Sequence, residues 1–331
     1  MKSYIKAIDY YLPSGKDYND PNDRITSKIG IYTKNIAAPD EFASDLAAHA
    51  ANKLFNRGII EPKDIDYLLY CTQSPDYILP TTACLLQERL GLPTSCGALD
   101  FNLGCSGYVY GLSLAKALIE TGQAKNIILL TADTYSKYIN PKDRNVQLLF
   151  GDAASATLIS STDEDDEFIG SFVFGTNGKG AEHLIIHAGG LKEPFSSSSF
   201  EEVQDAYGNF RSRSNLYMNG NEIFNFASKE VPKAIQGVLE KSNMNLDEVN
   251  YFVLHQANQY MLETLRRKIG IPSDKFSIQF ADCGNTVSST IPIALIRDYK
   301  EGKCKNGDRT VLVGFGVGYS WSACLIKLNL I

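Results

Sequence analysis

Short apolar runs such as "NIILLTADT" and "YFVLHQ" alternate along the chain with stretches whose apolar residues recur at helical spacing, the pattern of an α/β fold. In "ALDFNLGCSGYVYGLSLAKALIETG", Ala98 to Gly122, a strand-like run gives way to Tyr108, Leu112, Ala115, Leu118 and Ile119 at helical intervals. Gly122 stands where such a helix would stop. The spacing predicts a strand, a tight turn and a helix, with Cys105 between Gly104 and Gly107 at or just before the helix N-terminus. "YFVLHQANQY" predicts another strand, ending at His255, before a helix that carries Met261, Leu262 and Leu265.

The alternation repeats at a period of about 180 residues, as from Cys105 to Asn285, far longer than solenoid repeats and so a domain duplication. "KDIDYLLYCTQ" matches "DEVNYFVLHQA", and "DFNLGCSGYVYGLSLAKAL" matches "DCGNTVSSTIPIALIRDY". "NIILLTADT" matches "RTVLVGFGV", and "DAASATLIS" matches "GYSWSACLIK", in the same order in both halves. The halves are expected at residues 1–166 and 167–331. With a pseudo-twofold axis between them, equivalent strand ends meet near the centre, where α/β sites commonly sit. Cys105 then has Asn285 as its counterpart, and His255 ends the strand equivalent to the one ending near Cys71.

Composition narrows the class. The 331 residues, 44% hydrophobic and 21% charged, are enough for a large core in a soluble globular protein. A net charge of -6 gives no reason to expect nucleic acid. "MKSYIKAIDYYLPSG" carries charges and a proline where a signal peptide needs an apolar run, and no segment approaches a membrane span. A cytoplasmic protein without a membrane partner is expected. Seven irregularly spaced cysteines do not form a disulfide framework, and no Cys-x-x-Cys suggests a metal site.

Cys105 is therefore the first candidate for chemistry. At a helix N-terminus, unpaired N–H groups and the helix dipole favour the thiolate, the form that attacks a carbonyl. A thiol paired with an imidazole suits thioester formation. An imidazole and an amide donating to one thioester carbonyl, as His255 and Asn285 would, can stabilise an enolate.

"GCSGYVYGL", "HQAN", "GNTVSSTIP", "LLFGDAASA", "GFGVGYSW" and "KIGIYTKNIAAPDE" together resemble the motifs of the β-ketoacyl-acyl carrier protein synthase III family of the thiolase superfamily. The resemblance implies a thiolase-like five-layered α-β-α-β-α fold of two duplicated halves and a homodimer. It implies that Cys105 takes an acyl group from acyl-CoA, and that His255 and Asn285 bind malonyl-acyl carrier protein and promote its decarboxylation. Coenzyme A enters as a thioester substrate, and no cofactor is implied. The backbone N–H groups of Cys105 and Val317 would form the oxyanion hole. Lys28, Leu79, Arg144, Asn221, Phe224 and Asn258 would bind substrate, and Arg266, Arg267 and Lys268 would dock the carrier.

The chain also departs from that pattern. Arg24 stands where many members have the tryptophan of an adenine clamp, and Tyr260 where many have an arginine. Leu79 replaces a phenylalanine that caps the partner subunit's acyl pocket. Residues 195–215, "FSSSSFEEVQDAYGNFRSRSN", read first as a mobile surface loop and second as a substrate lid. Two other functions share the same residues: acyl transfer from Cys105 to a hydroxyl, amine or acetoacetyl thioester, and a non-catalytic thiolase-fold subunit. The second would be expected to lack the cysteine or its base.

Overall fold

The computed structural model describes residues 1–331. β1 (Lys2–Tyr11) is followed by a small hairpin of β2 (Gly15–Tyr18) and β3 (Thr33–Ile36), with α1 (Arg24–Ile29) between them. Then come α2 (Ala43–Phe55), β4 (Tyr67–Cys71), α3 (Thr82–Arg89), β5 (Gly97–Phe101) and α4 (Gly107–Glu120). β6 (Asn126–Asp133), the single turn α5 (Arg144–Gln147) and β7 (Ala153–Thr162) follow. β8 (Ile169–Thr176) leads into the short strands β9 (Leu184–Ile185), β10 (Val203–Gln204), β11 (Phe210–Arg211) and β12 (Tyr217–Met218). The chain ends with α6 (Gly220–Lys241), β13 (Tyr251–Leu254), α7 (Gln259–Ile269), α8 (Thr290–Lys300), β14 (Arg309–Gly316) and β15 (Ser320–Lys327).

Two sheets share one topology. The first runs β1-β7-β6-β4-β5 and the second β8-β15-β14-β13, with a bridge from Phe252 to Phe276 where a fifth strand would lie. In both, the outer two pairings are antiparallel and the next is parallel. The helices make the fold five-layered: α2 and α3 cover one sheet, α4 and α8 lie between the sheets, and α6 and α7 cover the other.

Residue pattern follows layer. α6 buries Ile223, Ala227, Val231, Ala234, Ile235 and Val238, one stripe at helical spacing with water on the other side. α8 lies between sheets and buries Ile291 through Ile296 without interruption, as a helix enclosed on all sides must. β6 and β14 are likewise nearly continuous apolar runs, because each is an inner strand covered by helices on both faces. No helix is long and apolar enough to cross a membrane.

Residues 195–215 are not a free loop. β10 and β11 pair, and Arg211 bridges Asp143 at 2.7 Å and Asp205 at 2.6 Å. Asn140 donates to Glu202 at 2.8 Å, and Ser199 is buried. The serines that suggest mobility act instead as local acceptors and caps, Ser196 and Ser199 bonding each other's turn. These bonds tie down parts of the segment read as a mobile surface loop.

Candidate active site

Cys105 sits in the turn between β5 and α4, with Ser106 as the helix N-cap. The turn is fastened to the second sheet: Ser106 Oγ shares a hydrogen with Ser320 Oγ at 2.6 Å, and the Ser106 carbonyl accepts from the Ser322 hydroxyl at 3.0 Å. β14 presses from the same side. A Cβ on Gly316 would lie 2.9 Å from Cys105 Cβ and 3.0 Å from its Sγ, too close for any side chain. Gly104 and Gly107 adopt no positive φ, so they are not needed for an unusual turn. Gly107 is needed for closeness, since a Cβ there would meet Cys71 Sγ at 2.2 Å. Val317 packs its side chain against Gly104, which brings the two expected oxyanion residues into one neighbourhood.

The thiol is 5% exposed, and burial together with the nearby Asp133 carboxylate pushes its pKa up to about 12 from 9.0. A helix end is worth about 0.3–1 kcal/mol to an anion, whereas three pKa units correspond to about 4 kcal/mol. Desolvation therefore wins, and the expected resting thiolate is corrected to a neutral thiol that gives up its proton during attack.

His255 follows β13, its backbone N–H donating to the Val313 carbonyl at 2.8 Å. Its ring meets Phe315 edge-on at 5.4 Å. Burial lowers its pKa to about 3, so the imidazole is neutral. Nε2 lies 3.5 Å from Asn285 Nδ2. Asn285 is oriented by its own loop, because Oδ1 accepts from the Val287 N–H at 3.0 Å and leaves Nδ2 facing the imidazole. Its backbone is locked to the chain around Phe150, with Asn285 N–H donating to the Leu149 carbonyl and Gly151 N–H to the Asn285 carbonyl.

On the other side of the ring, His255 Nδ1 lies 2.7 Å from Thr290 Oγ1, which is also 3.0 Å from the Val287 carbonyl. Thr290 has one hydroxyl hydrogen. Aimed at Nδ1, it leaves the imidazole proton on Nε2, a second donor beside the Asn285 amide. Aimed at Val287, it leaves the proton on Nδ1 and a lone pair on Nε2. One hydroxyl rotation thus selects whether Nε2 donates or accepts.

Neither Thr290 nor the buried Asp133 figures in the sequence reading. Their signals were an acid at the end of a long apolar run and hydroxyls crowded before a proline in "TVSSTIP".

The other expected residues lie on α1, α5, α6 and α7, at the N-cap of α7, and on the segment before α3. Lys28 Nζ stands 4.0 Å above the Tyr260 ring, which stacks on Phe224 at 5.4 Å. Lys28, Tyr260, Ser27, Glu263 and Arg267 line a cavity of about 250 Å³. Asn258 caps α7, accepting from the Met261 N–H at 3.0 Å, so its oxygen is committed to the helix. Asn221 is exposed in the first turn of α6. Arg24 is exposed, and Arg144 pairs with Asp23 at 2.5 Å. The basic run at the end of α7 is divided: Arg266 is 17% exposed and bonds Glu263 and the Ile271 carbonyl, while Arg267 is 75% exposed. Lys268 donates to the Ser228 carbonyl. The expectation of three outward charges is corrected, because Arg266 closes its own helix end. Leu79 is 78% exposed and takes no place in its own chain's core.

Comparison with known proteins finds relatives over nearly the whole chain. The family model for 3-oxoacyl-[acyl-carrier-protein (ACP)] synthase III matches residues 99–178, and that for its C-terminal part matches residues 239–328. A β-ketoacyl-[acyl-carrier-protein] synthase III of Clostridium perfringens is 38% identical over 92% of this chain and 90% of its own. A solved 3-oxoacyl-(acyl-carrier-protein) synthase III superposes with a TM-score of 0.97 at 50% identity, covering 99% of this chain and 100% of that one. A 3-oxoacyl-(acyl-carrier protein) synthase of Burkholderia xenovorans gives 0.89 at 34%, covering 99% and 95%. With the fold, the motifs and the length all in agreement, the chain belongs to the β-ketoacyl-acyl carrier protein synthase III family.

Proposed function

We propose that the protein condenses an acyl-CoA with malonyl-acyl carrier protein through an acyl-Cys105 intermediate. Cys105 Sγ forms a bond to the acyl carbonyl carbon, the bond to coenzyme A sulfur breaks, and the thiol proton ends on the coenzyme A thiol. Malonyl thioester then loses carbon dioxide, and its electron pair forms an enolate whose oxygen accepts from His255 Nε2–H and Asn285 Nδ2–H. The enolate carbon attacks acyl-Cys105, the Cys105 sulfur leaves and takes up a proton, and 3-oxoacyl carrier protein is released. Backbone N–H groups of Cys105 and Val317 serve the tetrahedral oxyanion. The driving force lies in thioester cleavage and carbon dioxide release, so the reaction needs no cofactor.

The observation that carries this reading is the convergence of a neutral imidazole and an amide, His255 Nε2 and Asn285 Nδ2 lying 3.5 Å apart in a buried site, with Nε2 a donor when the Thr290 hydroxyl is turned to Nδ1. Condensation by proton abstraction needs a positioned general base. The buried carboxyl on β6, Asp133, accepts from Gln73 and Ser288 with both oxygens, which disfavours it as that base and favours decarboxylation as the route to the enolate. Lys28 and Arg267 at the 250 Å³ cavity suit phosphate-bearing substrates, with Phe224, Asn221, Asn258 and Arg144 around the pantetheine path. Arg267 and Lys268 suit an acidic carrier. We assign the halves to residues 1–166 and 167–331, the assembly to a homodimer, and the location to the cytoplasm, where these substrates would be met.

Incubation with acyl-CoA and malonyl-carrier tests the reading. Intact mass should gain one acyl group at Cys105, and carbon dioxide and 3-oxoacyl carrier protein should appear together. Acylation without carbon dioxide release under any donor would reject the condensation in favour of another acceptor.

A further inference from the structure

Asp133 ends β6 and is fully buried, yet the reaction above gives it no task. Its Oδ1 accepts from the Gln73 backbone N–H at 2.8 Å. Its Oδ2 accepts from Ser288 twice, from the backbone N–H at 3.3 Å and from the hydroxyl. Two residues earlier on the same strand, Thr131 shares a hydrogen with Ser289 Oγ at 2.8 Å, and its carbonyl accepts from that hydroxyl at 3.1 Å. Two consecutive serines of the second half are thus fastened to one strand of the first.

The segment that they fasten carries the decarboxylation site. Asn285 is at one end, and Thr290, which bonds His255 Nδ1, is at the other. Between them Val287 has φ 53°, a conformation that a β-branched residue avoids unless its surroundings impose it. Val287 supplies the N–H that orients the Asn285 side chain and the carbonyl that competes for the Thr290 hydroxyl. Release of Ser288 would free this turn to relax and would shift both donors.

We infer that Asp133 is a positioning residue for decarboxylation: acting through Ser288, it holds the 285–290 turn in the shape that aims Asn285 and His255 at the malonyl thioester. The inference rests on the roles proposed for those two residues. It separates the two half-reactions in sign. Burial raises the pKa of Asp133 to about 7, and in its ionised form it opposes ionisation of Cys105, so replacing it with an amide should not slow acyl transfer, while loosening the turn should slow decarboxylation. A residue that merely supports the fold would lower both.

The test compares the full-length wild type with D133N, S288A and the double variant, reading acyl mass gained at Cys105 and carbon dioxide released from malonyl-carrier. Asp133→Asn keeps the shape but turns an amide N–H toward backbone N–H donors. Misplacement of a catalytic group by about 1 Å can cost 10²-fold. D133N should release carbon dioxide about 10–100-fold more slowly and acylate at least as fast as wild type. S288A, which keeps its backbone N–H, should lose about 3–10-fold in decarboxylation alone. The double variant should be no slower than D133N, since both act through one contact. Equal losses in both half-reactions, or losses that multiply in the double variant, overturn the inference. If D133N does not fold, S288A decides the matter by the same split. If acylated wild type releases no carbon dioxide, the condensation itself is wrong and the inference falls with it.

Discussion

Cys105 and His255 are both neutral at rest, and burial is the leading cause for each. The thiol must therefore pass its proton on during attack, and the imidazole enters as a tautomer rather than as a cation. Thr290 decides which tautomer. Thr290→Val keeps the shape and strands His255 Nδ1 without a partner, so carbon dioxide release from malonyl-carrier should fall tenfold or more; Thr290→Ser should stay within about threefold, since a lost buried partner costs about 1–3 kcal/mol. Equal rates for the two variants would remove Thr290 from the site. The depressed histidine pKa also has a sign in stability. Below pH 6.5 the unfolded chain binds a proton at His255 that the native state refuses until about pH 3, so acid favours unfolding. Between pH 7 and 4.5 the wild type should lose about 2–3 kcal/mol more than His255→Gln in denaturant melts. At this scale Cys105, His255 and Asn285 are legible in the sequence because each is an unusual residue at the end of an apolar run or beside a glycine. Asp133, Ser288 and Thr290 are not, because an acid at a strand end or a hydroxyl at a helix start has an ordinary reading until its partner, more than 30 residues away for each of them, is known.

Elements meet here at glycines. The turn of Cys105, the start of α4 and the end of β14 approach so closely that Gly316→Ala would put a methyl 3.0 Å from the nucleophilic sulfur. Acyl transfer to Cys105 in that variant should fall at least tenfold and its melting temperature should drop as well, because turning the thiol aside relieves the contact with Sγ but not the one with Cys105 Cβ at 2.9 Å. Gly107→Ala differs, since its methyl would meet Cys71 Sγ at 2.2 Å and Cys71 is itself fully buried. Overpacking of this kind costs about 1–3 kcal/mol, more than the roughly 1 kcal/mol that alanine gains over glycine in a helix interior. A lower melting temperature with residual acylation is expected, and a more stable variant would contradict it. The elements themselves are legible because strand and helix periods differ, and the enclosed helix α8 is legible as an unbroken apolar run from Ile291 to Ile296. The small strands β9 to β12 are not, since each is two residues long and is held by ion pairs and serine caps that have no period.

Across the whole molecule, the duplication is legible because four matched segments keep their order, and the two sheets repeat the same strand sequence. What one chain cannot display is the second copy proposed for it. β5 is an edge strand of the first sheet, Leu99 on it is 41% exposed, and Tyr77, Ile78 and Leu79 are exposed by 61%, 92% and 78%. An apolar group beside an unpaired sheet edge is the surface that a second copy of the chain would cover. The protein should sediment as a dimer, and Ile78→Asp with Leu99→Lys should yield monomer. The same exposure bears on substrate size. If the chain dimerises as proposed, Leu79, turned outward from its own core, would reach an acyl pocket only across the interface, and a leucine there would fill less space than a phenylalanine and leave room for longer acyl chains. Each added buried methylene is worth about 0.8 kcal/mol, or roughly fourfold in binding. Leu79→Phe should therefore reduce acylation of Cys105 by six- to eight-carbon donors well below its effect on acetyl-CoA, as read by intact mass across a donor series. The monomeric variant should lose chain-length preference altogether, because neither residue would then face a pocket. A uniform loss at every chain length in Leu79→Phe would assign the pocket's end to other side chains.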